Sequence, residues 1–465
     1  MNSPAFVFVL IAAAAFAADV PQPIIDLTDW PVKISREAQF FVDDYLVATK
    51  AGVAFRVHQA AKHPANPLLR TGPPWETSVI VYGSVLRENG RWRMWYTNNL
   101  GLAYAESPDG LRWERPPVGI EIDGQKSNLL SRGHRGRSDT ATIFRAPGGG
   151  YLGYVQEYRY PDKDGVREQR REGVYLRTSP DGIHWTERPE PVMYSIWRNK
   201  QDNRVYTGFE LGDVHHIAWD ARLGRYMGHV KFFDLERLER MRGLTESEDG
   251  IHWSEPHLIL RADSRDRPGD QLYSLVAFPY ESIWVGLVGV YHKTSTERMD
   301  IQLAFSRDGR NWTRPHREPF LANGPEGSFD WGVLHVSNTP PILEDGKLRF
   351  YYGGFATRHN ERVRGRSTTG IGLATLRPGG FVSLTAGERP GTVLTRPLLF
   401  EGGKLTLNAA VRPGGYIRVL ESLPVTGDGV ALPVRWKESN PLTAGKYVRL
   451  RFEIRNADLY SFRIE

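Results

Sequence analysis

The heptapeptide SPDGIHW at residues 179–185 occurs three more times in altered form: SPDGLRW from Ser107, SEDGIHW from Ser247 and SRDGRNW from Ser306. Successive copies stand 72, 68 and 59 residues apart. Self-similarity at such a period marks one supersecondary unit used repeatedly, and it constrains the fold before any single residue does. A degraded fifth copy follows. IGLATLRPGGF aligns with IQLAFSRDGRNW, which puts Leu376 at the Ser306 position, 70 residues on, and keeps Gly379. The phrase reads as a turn: glycine supplies φ > 0 and the aspartate side chain caps nearby amides. The tryptophan is expected to pack back under that turn. On this reading Asp109, Asp181, Asp249 and Asp308 are structural, not catalytic.

A second phrase also occurs five times, ahead of each turn: RENGRWRMWYTN, RAPGGGYLGYVQEY, DARLGRYMGHVKFF, PYESIWVGLVGVYH and LEDGKLRFYYGGF. Each is a polar turn leading into an aromatic-rich strand. No i, i+3, i+4, i+7 apolar stripe runs through residues 70–380. Each unit therefore holds about four short strands, and radial repetition of such units is a β-propeller. The expected fold is all-β: a five-bladed β-propeller over 19–384, then a C-terminal antiparallel β-sandwich over 385–465. There the sequence alternates apolar and polar residues with period two. FFVDDYLVA, from Phe40, is expected to start or close the ring.

Residues 1–18 read as a cleaved signal peptide, with a short apolar run and a small-x-small pattern at Ala15-Phe16-Ala17. The expected location is secreted or periplasmic. No later run approaches the ~20 apolar residues of a membrane span. Cys 0 excludes disulfides, thiolate metal sites and a cysteine nucleophile. A net charge of +6 with scattered basic residues gives no nucleic-acid footprint.

Five units, an S-x-D-G-x-x-W turn and a terminal sandwich together resemble the five-bladed propeller glycosidases, glycoside hydrolase family 32 above all, with family 43 as a relative. The chain is also similar to secreted bacterial proteins grouped as family-32-like. The sialidase Asp box is a related pattern with one more residue between Asp and Gly, and it implies six blades.

Glycosidic cleavage needs one protonated and one ionised carboxylate. In a propeller the leading residues of each blade's first strand face the pocket. Those positions hold Glu76, Asp139, Glu210 with Asp213, Asp270, and Glu326 with Asp330. The resemblance implies catalytic roles for acids on the first three blades. Glu76 would be nucleophile or base and Asp139 the sugar-orienting acid. Glu210, in ELGD, would be the proton donor, with Asp213 at the family's spacing. The family motifs around them are missing. The bland alternatives are a surface loop acid for Glu76 and a salt-bridge partner for Asp139.

Expected substrate contacts are Arg137, His216, Asp270, Tyr273, Glu326, Asp330, Trp331, His335 and His359. Adjacent His215 and His216 point to opposite faces of a strand, so they do not share an ion. No metal or cofactor is expected. The partner implied is an oligo- or polysaccharide, cleaved by a glycoside hydrolase of furanosides or related sugars. A non-catalytic carbohydrate-binding propeller and a phosphorylase-like enzyme, with Arg135, Arg137 and Arg358 as a phosphate clamp, are the alternatives.

Overall fold

The computed structural model describes residues 30–133, 138–157, 173–194, 214–234, 239–361 and 368–465. Residues 1–18, expected to be a signal peptide, and the acids at 210 and 213 lie outside these residues. The chain is all-β: among the described residues the one helical element is a 3-10 turn, Asp44–Leu46.

Five antiparallel sheets follow one another along the chain. Sheet I contains Val79–Glu88, Arg91–Asn98, Gly101–Ser107 and Leu129–Arg132. Sheet II contains Ser138–Arg145, Tyr151–Glu157, Gly173–Ser179 and Thr186–Glu187. Sheet III contains His216–Asp220, Arg225–Asp234, Glu239–Ser247 and His257–Leu260. Sheet IV contains Asp270–Tyr280, Ile283–His292, Met299–Ser306 and Trp312–Thr313. Sheet V contains Val333–Val336, Lys347–Phe355 and Thr369–Leu376. It is completed by Ala61–Lys62 and Leu69–Arg70, which come from ahead of sheet I.

The first strands lie side by side in the order I, II, III, IV, and that of V returns to that of I. A parallel pairing of Met299 with Val333 joins IV to V. Asp330 fastens the early strand to sheet V. Its Oδ2 accepts from Lys62 Nζ at 2.6 Å and from Tyr352 at 2.9 Å.

The repeated turn is built as its sequence implies. Ser179 Oγ accepts from the Gly182 amide at 2.8 Å, and Asp181 Oδ1 caps the Ile183 and His184 amides at 2.8 and 2.9 Å. Trp185 Nε1 donates to Gly182 O at 3.1 Å. One feature was not foreseen. In three of the turns the glycine carbonyl also takes a hydrogen bond from the second strand of the preceding sheet. Trp95 of sheet I donates to Gly182 of II at 2.7 Å, and Tyr154 of II to Gly250 of III at 3.1 Å. Tyr351 of V donates to Gly110 of I at 2.8 Å. Three of the turns, those of sheets I, II and III, are thus staples between neighbouring sheets. The last of these bonds joins the end of the series to its beginning.

The C-terminal sheet starts earlier than residue 385. It includes Gln39–Phe40, Val47–Ala51, Ala54–Val57 and Val382–Ala386 alongside Gly391–Thr395, Leu405–Val419, Asp428–Pro433 and Arg451–Ile464. The FFVDDYLVA segment therefore joins this sheet and does not close the ring. Burial explains the choice: Phe41, Leu46 and Val47 sit in one apolar core with Phe452, Ile454 and Phe462.

Candidate functional site

The first strands of sheets I, II and IV each break register near their leading end. Pairing skips between Ile80 and Ser84, between Ser138 and Ala141, and between Leu272 and Ser274. A bulge re-aims the side chains it carries. The skipped residues include Tyr82, Asp139 and Tyr273. Gly83 is part of the first break, and a Cβ there would lie 1.9 Å from Trp95 O. Only glycine lets the strand approach its neighbour so closely.

Two of these re-aimed side chains meet His335 from the first strand of sheet V. Tyr82 Oη lies 2.6 Å from His335 Nε2, with ring centroids 4.0 Å apart. The Tyr273 ring is 5.8 Å from His335 and 5.1 Å from His359. His359 packs on Tyr291 at 4.6 Å. Arg240 covers the Tyr273 ring at 5.2 Å and donates to Gln271 at 2.6 Å. Asn360 donates to Tyr291 Oη at 2.9 Å. Val214, Met299 and Val333 form an apolar base. Trp331 is half-buried, with the guanidinium groups of Arg298 and Arg358 at 5.4 and 5.7 Å from its ring. Chemically this is a cluster of aromatic faces, imidazoles and planar donors, drawn from sheets I, III, IV and V.

The remaining predicted residues are distributed as follows. Asp139 is the second residue of its strand, and its side chain lies outside the described atoms, as do Arg137, Glu210 and Asp213. Glu76 is 0% exposed. Its carboxylate accepts from Tyr96 at 2.8 Å, the Gly72 amide at 2.9 Å and Arg115 at 2.8 Å. Asp270 accepts from His292 Nδ1 at 2.9 Å, and His292 Nε2 reaches Asp300 at 3.1 Å. Burial opposes charge on this imidazole, but the two flanking carboxylates win and raise its pKa to about 9. Glu326 is exposed.

His216 is buried between sheets III and IV, where its Nδ1 accepts from the Ala277 amide at 3.3 Å. His215, also buried, bonds the Tyr154 carbonyl at 3.1 Å. Among the described residues no group of three His, Asp or Glu side chains is placed to hold a metal. No described helix is long and apolar enough to cross a membrane. Tyr82, Tyr291, Arg240 and Asn360 were not singled out from the sequence. For Tyr82 the available signal was Gly83 inside an otherwise continuous strand pattern.

No family model matches the chain. A curated relative, an A type blood N-acetyl-α-D-galactosamine deacetylase from Flavonifractor plautii, is 22% identical over 412 residues, covering 75% of this chain and 50% of that protein. The chain thus spans about half the length of the curated relative it matches. A solved N-acetylgalactosamine deacetylase from F. plautii, in complex with blood group B trisaccharide, is 18% identical with a TM-score of 0.44, covering 71% of this chain and 97% of that one. The β-1,2-mannobiose phosphorylase of Listeria innocua is 13% identical with a TM-score of 0.46, covering 70% and 98%. All of these proteins are named for carbohydrate-processing activities.

Proposed function

We propose that the chain is an exported carbohydrate-active enzyme, a glycoside hydrolase, whose five sheets are the blades of a propeller buttressed by a C-terminal sandwich. The observation that carries this reading is the shared register break. It puts Asp139, like Tyr82 and Tyr273, within a break near the leading end of its strand. The relative from F. plautii supports the substrate class.

In this scheme Asp139 and one acid of the pair Glu210 and Asp213 supply the two carboxylates that hydrolysis requires. One protonates the leaving oxygen and the other acts on water or the sugar carbon. Tyr273 and Trp331 offer flat faces to the sugar, as aromatic rings do in polar clefts. His335 fixes the Tyr82 hydroxyl toward a substrate oxygen. Glu76 is assigned a positioning role: enclosed and ion-paired with Arg115, it holds the loop ahead of sheet I. A second reading, phosphorolysis, is favoured by Arg298 and Arg358 at the Trp331 ring, which could take an anion together.

One proton NMR time course separates the possibilities. Mature protein is given fructans, arabinans, xylans, aryl furanosides and N-acetylated galactosides, with and without inorganic phosphate. Hydrolysis yields a new free anomer without phosphate, phosphorolysis yields a phosphate-coupled anomer only with it, and deacetylation yields an acetate singlet. Asp139→Asn is expected to slow whichever reaction occurs by at least about 10²-fold, the lower range for a lost acid–base group. An unchanged rate in that variant would remove Asp139 from the chemistry. Saccharide binding without any product would move the chain to the non-catalytic class.

A further inference from the structure

Where the C-terminal sheet meets sheet IV, a cavity of about 300 Å³ opens to the surface. That volume lies at the small end of ligand sites, which run from about 300 to 1,000 Å³. Its walls include Tyr280, Glu281, Thr406, Asn408 and Arg463. Tyr280 forms the aromatic wall, held edge-on against Phe381 at 5.3 Å and tilted on Phe40 at 5.8 Å. Burial raises its phenol to about 12, so the hydroxyl stays neutral. Asn408 is fixed in one orientation: Oδ1 accepts from Arg377 at 2.9 Å and Nδ2 donates to Pro378 O at 2.8 Å.

The rim carries a rigid ion pair. Arg463 donates to Glu281 Oε1 at 2.7 Å, and the other oxygen of Glu281 accepts from the Ala38 amide at 3.1 Å. The two side chains are 35% and 33% exposed, so each still presents polar atoms to solvent. A carboxylate and a guanidinium held side by side match a vicinal diol, one accepting from a hydroxyl while the other donates to its neighbour. Arg463 also pairs with Glu465, another wall of the cavity, at 3.4 Å, so two carboxylates share one guanidinium and the site gives an anion no advantage over a neutral ligand. A flat aromatic wall, fixed amide and hydroxyl groups and a diol clamp are the parts of a saccharide site.

We propose that this seam binds a neutral disaccharide-sized segment of a glycan, separately from the central cluster. The inference is carried by the chemistry of the seam alone, so it and the catalytic reading can fail independently.

Crystals of the full chain would be soaked with cellobiose, xylobiose and arabinobiose, with a uronic acid disaccharide as the anionic control. Calorimetry would follow on the wild type and on Ala431→Trp, which places an indole into the cavity from its exposed rim. The expected result is density for a neutral disaccharide against Tyr280, and loss of that binding in the variant. Density at the seam but none at the central cluster would support this site and count against the other. Density only at the central cluster, only for the uronic acid, or at neither place would overturn the seam site.

Discussion

Folding stability should fall by at least about 4 kcal/mol between pH 7 and pH 5, measured by urea unfolding at fixed pH. Three fully buried histidines are responsible. Burial lowers His215 to about 4, with Arg242 adding to the effect against the bond to the Tyr154 carbonyl. Burial lowers His229 to about 3, and holds His216 well below its ordinary value. Each ring stays neutral in the folded chain, while the unfolded chain takes up a proton below about 6.5. Their contribution is therefore complete above pH 6.5 and is lost as pH falls. At pH 5 His215 and His229 each cost about 2 kcal/mol, since 1.5 pH units at 1.36 kcal/mol per unit applies to both, and His216 acts in the same direction. Total stabilities of about 5–15 kcal/mol leave little margin for such a loss.

His292 acts with the opposite sign. Clamped between Asp270 and Asp300 and raised to about 9, it stabilises fully below 6.5 and loses that contribution as pH rises through 9. Below 6.5 it is protonated in both states, so it offsets the acid loss by less than about 1 kcal/mol, gained between pH 7 and 6.5. The turn aspartates do not enter this window either: backbone amides, that of His252 first, hold Asp249 below the usual carboxylate range. A variant separates the causes. Among the described residues, neither nitrogen of His229 has a hydrogen-bond partner, and its ring lies 5.8 Å from Trp312. Leu287 occupies the same position in sheet IV. His229→Leu should reduce the slope by about 1.4 kcal/mol per pH unit, one proton fewer. A stability that stays flat from pH 7 to 5 would remove the buried imidazoles from the account.

The repeat made the sheets legible because a turn phrase and a strand phrase recur in one order, and both are local chemistry. The aspartates of SPDGIHW could be set aside as turn residues for the same reason: their partners are two and three residues away. What escaped was long-range. Nothing in FFVDDYLVA says that Phe41 will prefer the side chains of Phe452 and Phe462, some 400 residues later, to a place in the ring. Glu76 stands at the start of a first strand like the other acids, yet its Arg115 and Tyr96 partners enclose it. Position in the repeat fixes which end of a strand a residue occupies. It does not fix which way a bulge turns that residue. Tyr82 was missed on that account, and Asp139 stands out more once the three breaks are compared.

Trp95→Ala should cost about 5 kcal/mol, the upper end for deleting a buried aromatic. Three losses coincide at this residue. It has no exposed surface, and its ring packs on Tyr104 and Tyr151, each at 5.7 Å. The Arg93 guanidinium lies 4.9 Å from the same ring. Its indole N–H bonds the Gly182 turn of the next sheet. Removal opens a cavity between sheets I and II and frees the staple together. Tyr351→Phe tests the hydrogen bond without the cavity. That bond joins sheet V to sheet I at Gly110, whose own tryptophan, Trp113, has no partner for Nε1 among the described residues. In the other three turns the tryptophan bonds the glycine carbonyl itself. Trp113 can make the same bond once the phenol is gone, so Tyr351→Phe should cost only about 1 kcal/mol. Adding Trp113→Phe removes the substitute, and the double variant should lose more than the two single variants together. Both sets are read from urea midpoints, with the denaturant slope checked for constancy. Additive losses would mean that the turn glycine carbonyl contributes nothing to closing the ring.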